Sequence, residues 1–355
     1  MRQRPADPGI GSVSAQIGLR RSRAWIIRTV GALVAGVLLY WVFRTAPFVE
    51  IGLALRQISV WQVLLIVMLN ILFHALMGLR WWIVARADLK HVRLDEMIVI
   101  RLAAFGLSYF TPGPQVGGEP LQVQYLRRRW GATFARSTAT VITDRLLELL
   151  AGFVFLVVAG TILLRQGLLN GIGPISPAAL AGMALLLAWP VVHIILLRRG
   201  TYPISALVRP FGARRRLRKL MRLVQASEHL AGRFCQRRPR ALLAALGISA
   251  LVGVLAVMEY GFITSFLDMN LTLWQIVAGW TAGWISFLFP LPGGLGALEA
   301  SQVIALGAFG VSGAAALGAV LLLRARDLVF GGLGIALAAR YVHYITKAEA
   351  PFASA

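Results

Sequence analysis

Apolar residues fall in long runs along this chain rather than alternating with polar ones, so the pattern predicts helices and no half-buried strands. Six runs approach or exceed the roughly 20 apolar residues that cross a hydrocarbon core. They are Trp25–Phe43, Val60–Leu79, Thr133–Leu164, Ala178–Leu197, Ala241–Phe266 and Gly313–Ala339. Two more segments, Glu96–Arg129 and Gln275–Phe309, are each long enough for two half-helices and carry a Pro/Gly break in the middle. The first break reads FTPGPQVGGEP, Phe110 to Pro120, and no helix should continue through it, because proline lacks a backbone donor and glycine is conformationally loose. At membrane depth such a break is tolerated only where protein or a water-filled cavity satisfies its backbone.

Lys and Arg orient these runs. The N-terminal tail (Arg2, Arg4, Arg20, Arg21, Arg23), the stretch after the second run (Arg80, Arg86, Lys90, Arg93), Arg127–Arg129 and the 198–240 loop are basic and belong on the cytoplasmic side. The segments 165–176, 267–272 and 309–313 hold a single basic residue, Arg165. The pattern closes only if both broken segments return to the side they entered, the first from the cytoplasm and the second from outside. The expected architecture is an all-α polytopic membrane protein with about six full transmembrane helices, two re-entrant helical hairpins and both termini cytoplasmic. Residues 1–24 read as a disordered basic tail, 25–345 as one transmembrane domain and 346–355 as a short C-terminal tail. The first run reads as a signal anchor, since no small-residue cleavage site follows it.

An internal repeat ties the two hairpins together. PGPQVGGE, Pro112 to Glu119, parallels PGGLGALE, Pro292 to Glu299, with the same spacing from Pro to Glu. Downstream, Arg145-Leu-Leu-Glu148 parallels Arg324-Ala-Arg326-Asp327, an Arg and an acid at i and i+3 on one helix face. The units, about 60–164 and 241–340, would enter from opposite sides and so form an inverted-topology repeat, an arrangement that puts a transporter's substrate site where the breaks meet. Charges inside apolar runs each cost on the order of 2.5–3.5 kcal/mol at the centre of an isolated helix, so they must be paired or wet. The candidate substrate-binding residues are Pro112, Gly113, Gly117, Gly118, Glu119, Asp144, Arg145, Glu148, Pro292, Gly293, Gly294, Gly296, Glu299, Arg324, Arg326 and Asp327. Backbone donors, helix N-termini and Arg together suit a phosphate or other anionic head group. Arg145 with Glu148 and Arg324 with Asp327 can pair within their helices, and Glu119 and Glu299 can reach the Arg of the following span. Glu259 is a further charge in an apolar run. A structural ion-pair network holding the hairpins is the bland reading of the same residues.

Composition agrees: of 355 residues 58% are hydrophobic and only 14% charged, against about a quarter in soluble domains. The formal net charge of +22 comes largely from the basic flanks and the 198–240 loop, which has thirteen Lys or Arg against one acid, Glu228. Leu217, Leu220, Met221, Val224 and Leu230 recur there at helical spacing, which predicts a basic amphipathic helix lying on anionic head groups rather than a nucleic-acid surface. The five His are scattered without a metal-like pair, Cys235 stands alone, and no Walker P-loop appears, so neither metal, cofactor nor ATP is expected. Gly279-Trp-Thr-Ala-Gly283 has the small-xxx-small spacing that lets helices pack closely.

PGPQVGGE, TDRLLELLAG, FPLPGGLGALEASQV and RARDLVFGGLG together resemble the lysylphosphatidylglycerol synthase transmembrane region family, also described as flippase-like integral membrane proteins, over roughly residues 60–340. The resemblance implies an inner-membrane protein that moves, or helps to move, a lipid with a polar head group between leaflets. Family members with a soluble C-terminal aminoacyltransferase domain also make the lysyl-lipid. This chain ends at Ala355, so lipid aminoacylation is not expected. It departs from the family pattern at Pro114, where the second repeat has Gly294, and at Gln122 and Gln124, where a basic residue often follows the first-hairpin Glu; both bear on head-group preference. The expected function is lipid translocation with anionic membrane lipids as partners. The alternative is an intramembrane enzyme or accessory factor in glycolipid or polyprenyl-lipid biosynthesis, with Glu119 or Asp144 as acid or base.

Overall fold

The computed structural model describes residues 58–111, 117–165, 188–189, 191–208, 218–289 and 291–349. The expected run Trp25–Phe43, the N-terminal tail, residues 350–355 of the C-terminal tail, most of Ala178–Leu197, and Pro112 and Gly113 of the first break lie outside the described residues, while residues 346–349 continue the last helix. What is described is helical, with no strand among the described residues.

The helices are α1 (Val60–Arg86), α2 (Leu94–Phe110), α3 (Glu119–Trp130), α4 (Phe134–Arg165), α5 (Pro203–Val208), α6 (Arg218–Arg237), α7 (Pro239–Phe266), α8 (Leu273–Ser286), α9 (Ala297–Gly307) and α10 (Gly313–Glu349). A helical stretch at 191–198 precedes α5. Local chemistry sets the boundaries. Gln62 accepts the Ser59 N–H at 2.8 Å to open α1, and Gln275 does the same for Thr272 at 2.8 Å to open α8. Pro239 stands in the first turn of α7, where its missing N–H costs nothing. Gly131, at φ 63°, closes α3 in the left-handed conformation.

The packing follows a simple exchange. In each unit the hairpin's second helix packs on the unit's own long helix, α3 on α4 and α9 on α10. The first helix of each hairpin packs on the long helix of the other unit, α2 on α10 and α8 on α4, and α1 packs along α7. The α2–α10 crossing is glycine on glycine: a Cβ on Gly106 would meet the Gly331 carbonyl oxygen at 2.5 Å, and one on Gly334 the Leu102 carbonyl oxygen at 2.4 Å. Gly152 of α4 makes the matching contact in the other direction, where a Cβ would strike the Trp284 ring of α8 at 2.1 Å. Within the first hairpin α2 and α3 fold back on each other, Arg129 at the end of α3 pairing with Glu96 in the first turn of α2 at 3.0 Å.

Polarity is arranged inside out relative to a soluble bundle. Val60, Trp61, Leu64, Met68 and Ile71 of α1, Leu243, Leu251 and Val254 of α7, and Leu328, Val329 and Leu333 of α10 face outward, while Arg80, Arg101, Asp144, Glu259 and Asp327 are buried. α1 and α7 are long and apolar enough to cross a membrane. α4 and α10 are longer still, and each carries a charged cluster, Asp144–Glu148 and Arg324–Asp327, beginning about ten residues from its start.

The basic helix α6 corrects one expectation. Its apolar face does not lie free for a membrane surface: α6 packs on α4, and Met221, Ala231, Phe234 and Cys235 are buried, the last three in a cluster with Leu147, Leu197 and Leu242. Glu228, the loop's one acid, is buried and accepts the N–H groups of Ile204 and Ser205 at 2.9 and 2.6 Å, capping α5. Leu217 lies outside the described residues.

Candidate functional site

Both repeat glutamates do the same two jobs. Glu119 opens α3, and its Oε2 accepts the Gly117 N–H at 2.8 Å while Oε1 accepts from Arg145 Nε at 2.8 Å. Glu299, in the first turn of α9, accepts the Gly296 N–H at 2.7 Å on Oε2 and Arg324 Nε at 3.0 Å on Oε1. One carboxylate thus caps a helix whose leading N–H groups have no partner of their own and also holds the Arg of the following long helix. Arg145 and Arg324 each stand eleven residues into their helix (134 to 145, 313 to 324), about 17 Å from its start.

The second break is a single 3-10 turn, Pro292–Gly294, with Gly293, Gly294 and Gly296 all at positive φ. That geometry turns the Gly293 and Gly294 carbonyls onto the guanidinium of Arg324, which donates to both, the Gly294 contact being 3.1 Å. Tyr109 of α2 completes the set, accepting from Arg324 Nη1 at 3.2 Å. In the first break, Gly118 donates to Ser108 Oγ at 2.9 Å and its Cα lies so near Ala104 that a Cβ would meet that carbonyl oxygen at 2.1 Å.

Around the first latch is a buried network of three guanidinium groups and three carboxylates. Arg80 pairs with Asp144 at 2.7 Å and Glu148 at 3.1 Å, Arg101 pairs with Glu148 at 2.7 Å, and Arg145 pairs with Glu148 at 2.8 Å besides Glu119. Arg80 corrects the expectation of a cytoplasmic flank: α1 runs past Leu79 to Arg86, and the Arg80 side chain is 1% exposed. Neither Arg80 nor Arg101 stands among the sequence candidates. Their signal was the surplus of acids around Asp144 and Glu148, which called for more cations than Arg145 alone.

In the second unit the expected Arg324–Asp327 pair does not form. Arg324 is spent on Glu299, and Asp327 pairs instead with its neighbour Arg326 at 2.7 Å, which also holds Glu259 of α7 at 2.8 Å. Glu259 accepts from Asn70 of α1 at 2.7 Å. Asn70, Glu259, Arg326 and Asp327 line a cavity of about 140 Å³ with His74, Phe105, Trp280, Trp284 and Gln302. His74 packs against Phe73, Phe105 and Phe330.

One register relates α1 to α7. Arg80 and Glu259 each stand twenty residues into their helix (60 to 80, 239 to 259), and Asn70 and Ser249 each stand ten residues in. The cross-contacts join twenty to ten both ways: Arg80 Nη1 reaches Ser249 Oγ at 3.4 Å, as Asn70 reaches Glu259. Two helices that meet position twenty to position ten in both directions run antiparallel.

A family model described as the lysylphosphatidylglycerol synthase TM region matches residues 28–334. The chain belongs to that family. It is also similar, at 28% identity over 274 residues, to a UPF0104 membrane protein of Methanothermobacter thermautotrophicus; the match covers 74% of this chain and 80% of the relative. No solved structure matches it significantly. Family membership agrees with the inverted polarity and makes this a membrane protein. Within this TM-region chain, the paired Glu–Arg latches and their buried networks are the candidate site.

Proposed function

We propose that this protein is a lipid translocase of the cytoplasmic membrane, moving a lipid with a polar head group between leaflets. The observation that carries the reading is the twofold, antiparallel relation of α1 to α7, together with the exchange of hairpins between α4 and α10. Antiparallel equivalents support an inverted-topology repeat with two re-entrant hairpins, the architecture in which a site is exposed alternately to either side. Arg324 lies against the carbonyls of the second break, and Arg145 against the glutamate that follows the first. Arg145 and Arg324 are the residues to exchange their carboxylate and carbonyl partners for the phosphate oxygens of a lipid, since a guanidinium binds either in the same fork geometry. Glu119 and Glu299 then act as latches that close the hairpins when the lipid has left. The exposed basic residues near Arg127–Arg129 and on α6 fit a cytoplasmic orientation of that end and attract anionic head groups.

The test is transbilayer movement of fluorescent phospholipids and polyprenyl phosphates in proteoliposomes, wild type beside Arg145→Ala and Glu119→Gln. Movement of one lipid class that falls at least tenfold in both variants supports the reading. Well-folded protein that moves no lipid overturns it, and so does movement at the wild-type rate in the variants.

A further inference from the structure

The cavity lies between the units, with Asn70, Phe73, His74 and Phe105 from the first and Glu259, Trp280, Trp284 and Asp327 from the second. Counting from the start of each helix, Arg80 corresponds to Glu259, Trp81 to Tyr260, Arg101 to Trp280, Phe105 to Trp284 and Glu148 to Asp327. The register holds physically as well as numerically, since Trp81 and Tyr260 are both fully buried beside their charged neighbours. In the first unit Glu148 receives three guanidinium groups, from Arg80, Arg101 and Arg145. Its counterpart Asp327 receives one, from Arg326, through Oδ1.

Charge does not balance in the second unit. Among the described residues, the first network holds Arg80, Arg101 and Arg145 against Glu119, Asp144 and Glu148, whereas the second holds Arg324 and Arg326 against Glu259, Glu299 and Asp327. Arg324 neutralises Glu299, so Arg326 is the one guanidinium paired with two carboxylates, both less than a tenth exposed, with the Asn70 amide donating to Glu259 and the His74 imidazole in the same cavity wall. Burying an uncompensated charge is costly, and the repeat itself shows the compensation that is missing. Trp280, the counterpart of Arg101 by position, lines the cavity, and Trp284, Phe73 and Phe105 supply further aromatic rings, whose faces attract a cation.

We infer that this cavity is a binding site for one small organic cation, a guanidinium or ammonium group, held by Asp327 and Glu259 against the rings of Trp280 and Trp284. At about 140 Å³ it has room for such a group and little more. The group can come from a free amine or from a lipid head group. The lipid source rests on the translocase reading, whereas the cation site does not.

The experiment is calorimetric titration of the purified full chain in nanodiscs with ethylguanidinium and ethylammonium, with ethanol and urea as neutral controls. Saturable binding of the cations alone is expected, with at least a tenfold loss of affinity in Asp327→Asn. Because Asp327→Asn removes a partner of Arg326 and can impair folding, Trp280→Arg is the second variant. It supplies the first unit's guanidinium within the chain, so it should keep or raise the melting temperature and abolish cation binding. Competition by phosphatidylethanolamine but not phosphatidylglycerol assigns the site to a lipid head group, and absence of competition by either assigns it to a free amine. No cation binding by folded wild-type protein overturns the inference, and so does undiminished binding in Trp280→Arg. Either result leaves the translocase reading to its own assay, while cation binding without lipid movement overturns that reading alone.

Discussion

At the scale of single residues, the fold is held by groups that do two things at once. Glu119 and Glu299 each cap a helix and bind an arginine, which is why the spacing from proline to glutamate repeats. Arg80 is different: it is the buried partner of both Asp144 and Glu148. Arg80→Ala is therefore expected to destabilise by on the order of 3–5 kcal/mol, read as a lower melting temperature in detergent. Arg80→Met should fare no better, because the two acids, not the missing stem, set the cost. Cys235 belongs to the same scale. Burial pushes its thiol up to about 11, so at neutral pH the reactive thiolate is scarce. A maleimide should label native protein slowly at pH 7.5 and rapidly once it is unfolded; fast native labelling would mean that α6 does not dock on α4.

The element scale is governed by close approach. α2 and α10 cross with backbone against backbone at Gly106 and Gly334, so Gly106→Val must push the helices apart and should cost at least about 1–3 kcal/mol. Gly332, two residues from that crossing, has open space where its Cβ would be, and Gly332→Ala is expected to be neutral or slightly stabilising by comparison. Equal melting temperatures for the two variants would place the crossing elsewhere. At the open end of the first hairpin, Arg129 hydrogen-bonds Glu96 and holds its carboxyl below the usual range, with Tyr125 also donating. A depressed carboxylate stabilises the fold above its unfolded pKa, and that contribution is lost as pH falls through the folded value. With Arg129 half exposed the pair is worth about 1 kcal/mol or less. Glu96→Gln should thus lower the melting temperature slightly at pH 7, and the difference should vanish under acid conditions below the carboxylate range.

For the whole molecule the decisive prediction is topological. In a variant lacking Cys235, single cysteines at Asp95 and Arg127 should react from one face of the membrane, and those at Asn270 and Ser312 from the opposite face. A hairpin whose two ends labelled from different faces would end the inverted-repeat reading. Much of this was legible from the chain itself. Long apolar runs dictate helices whatever their neighbours, because backbone groups in lipid have no other partner. The Pro/Gly breaks marked where one helix ends and the next begins, and the near-equal Glu-to-Arg spacings of 26 and 25 residues anticipated both latches. Tertiary structure alone decided which charges share a partner. Arg80 read as a topology signal and proved to be a core ion, and Asp327 turned from Arg324 to Arg326, because pairing depends on which helix faces lie together and sequence spacing reports only one helix at a time. The apolar face of α6 met α4 for the same reason: amphipathicity says that a face will be covered and not by what. The unmatched carboxylate beside Trp280 is visible only once α1 and α7 are seen to run antiparallel, when each unit becomes the standard against which the other is measured.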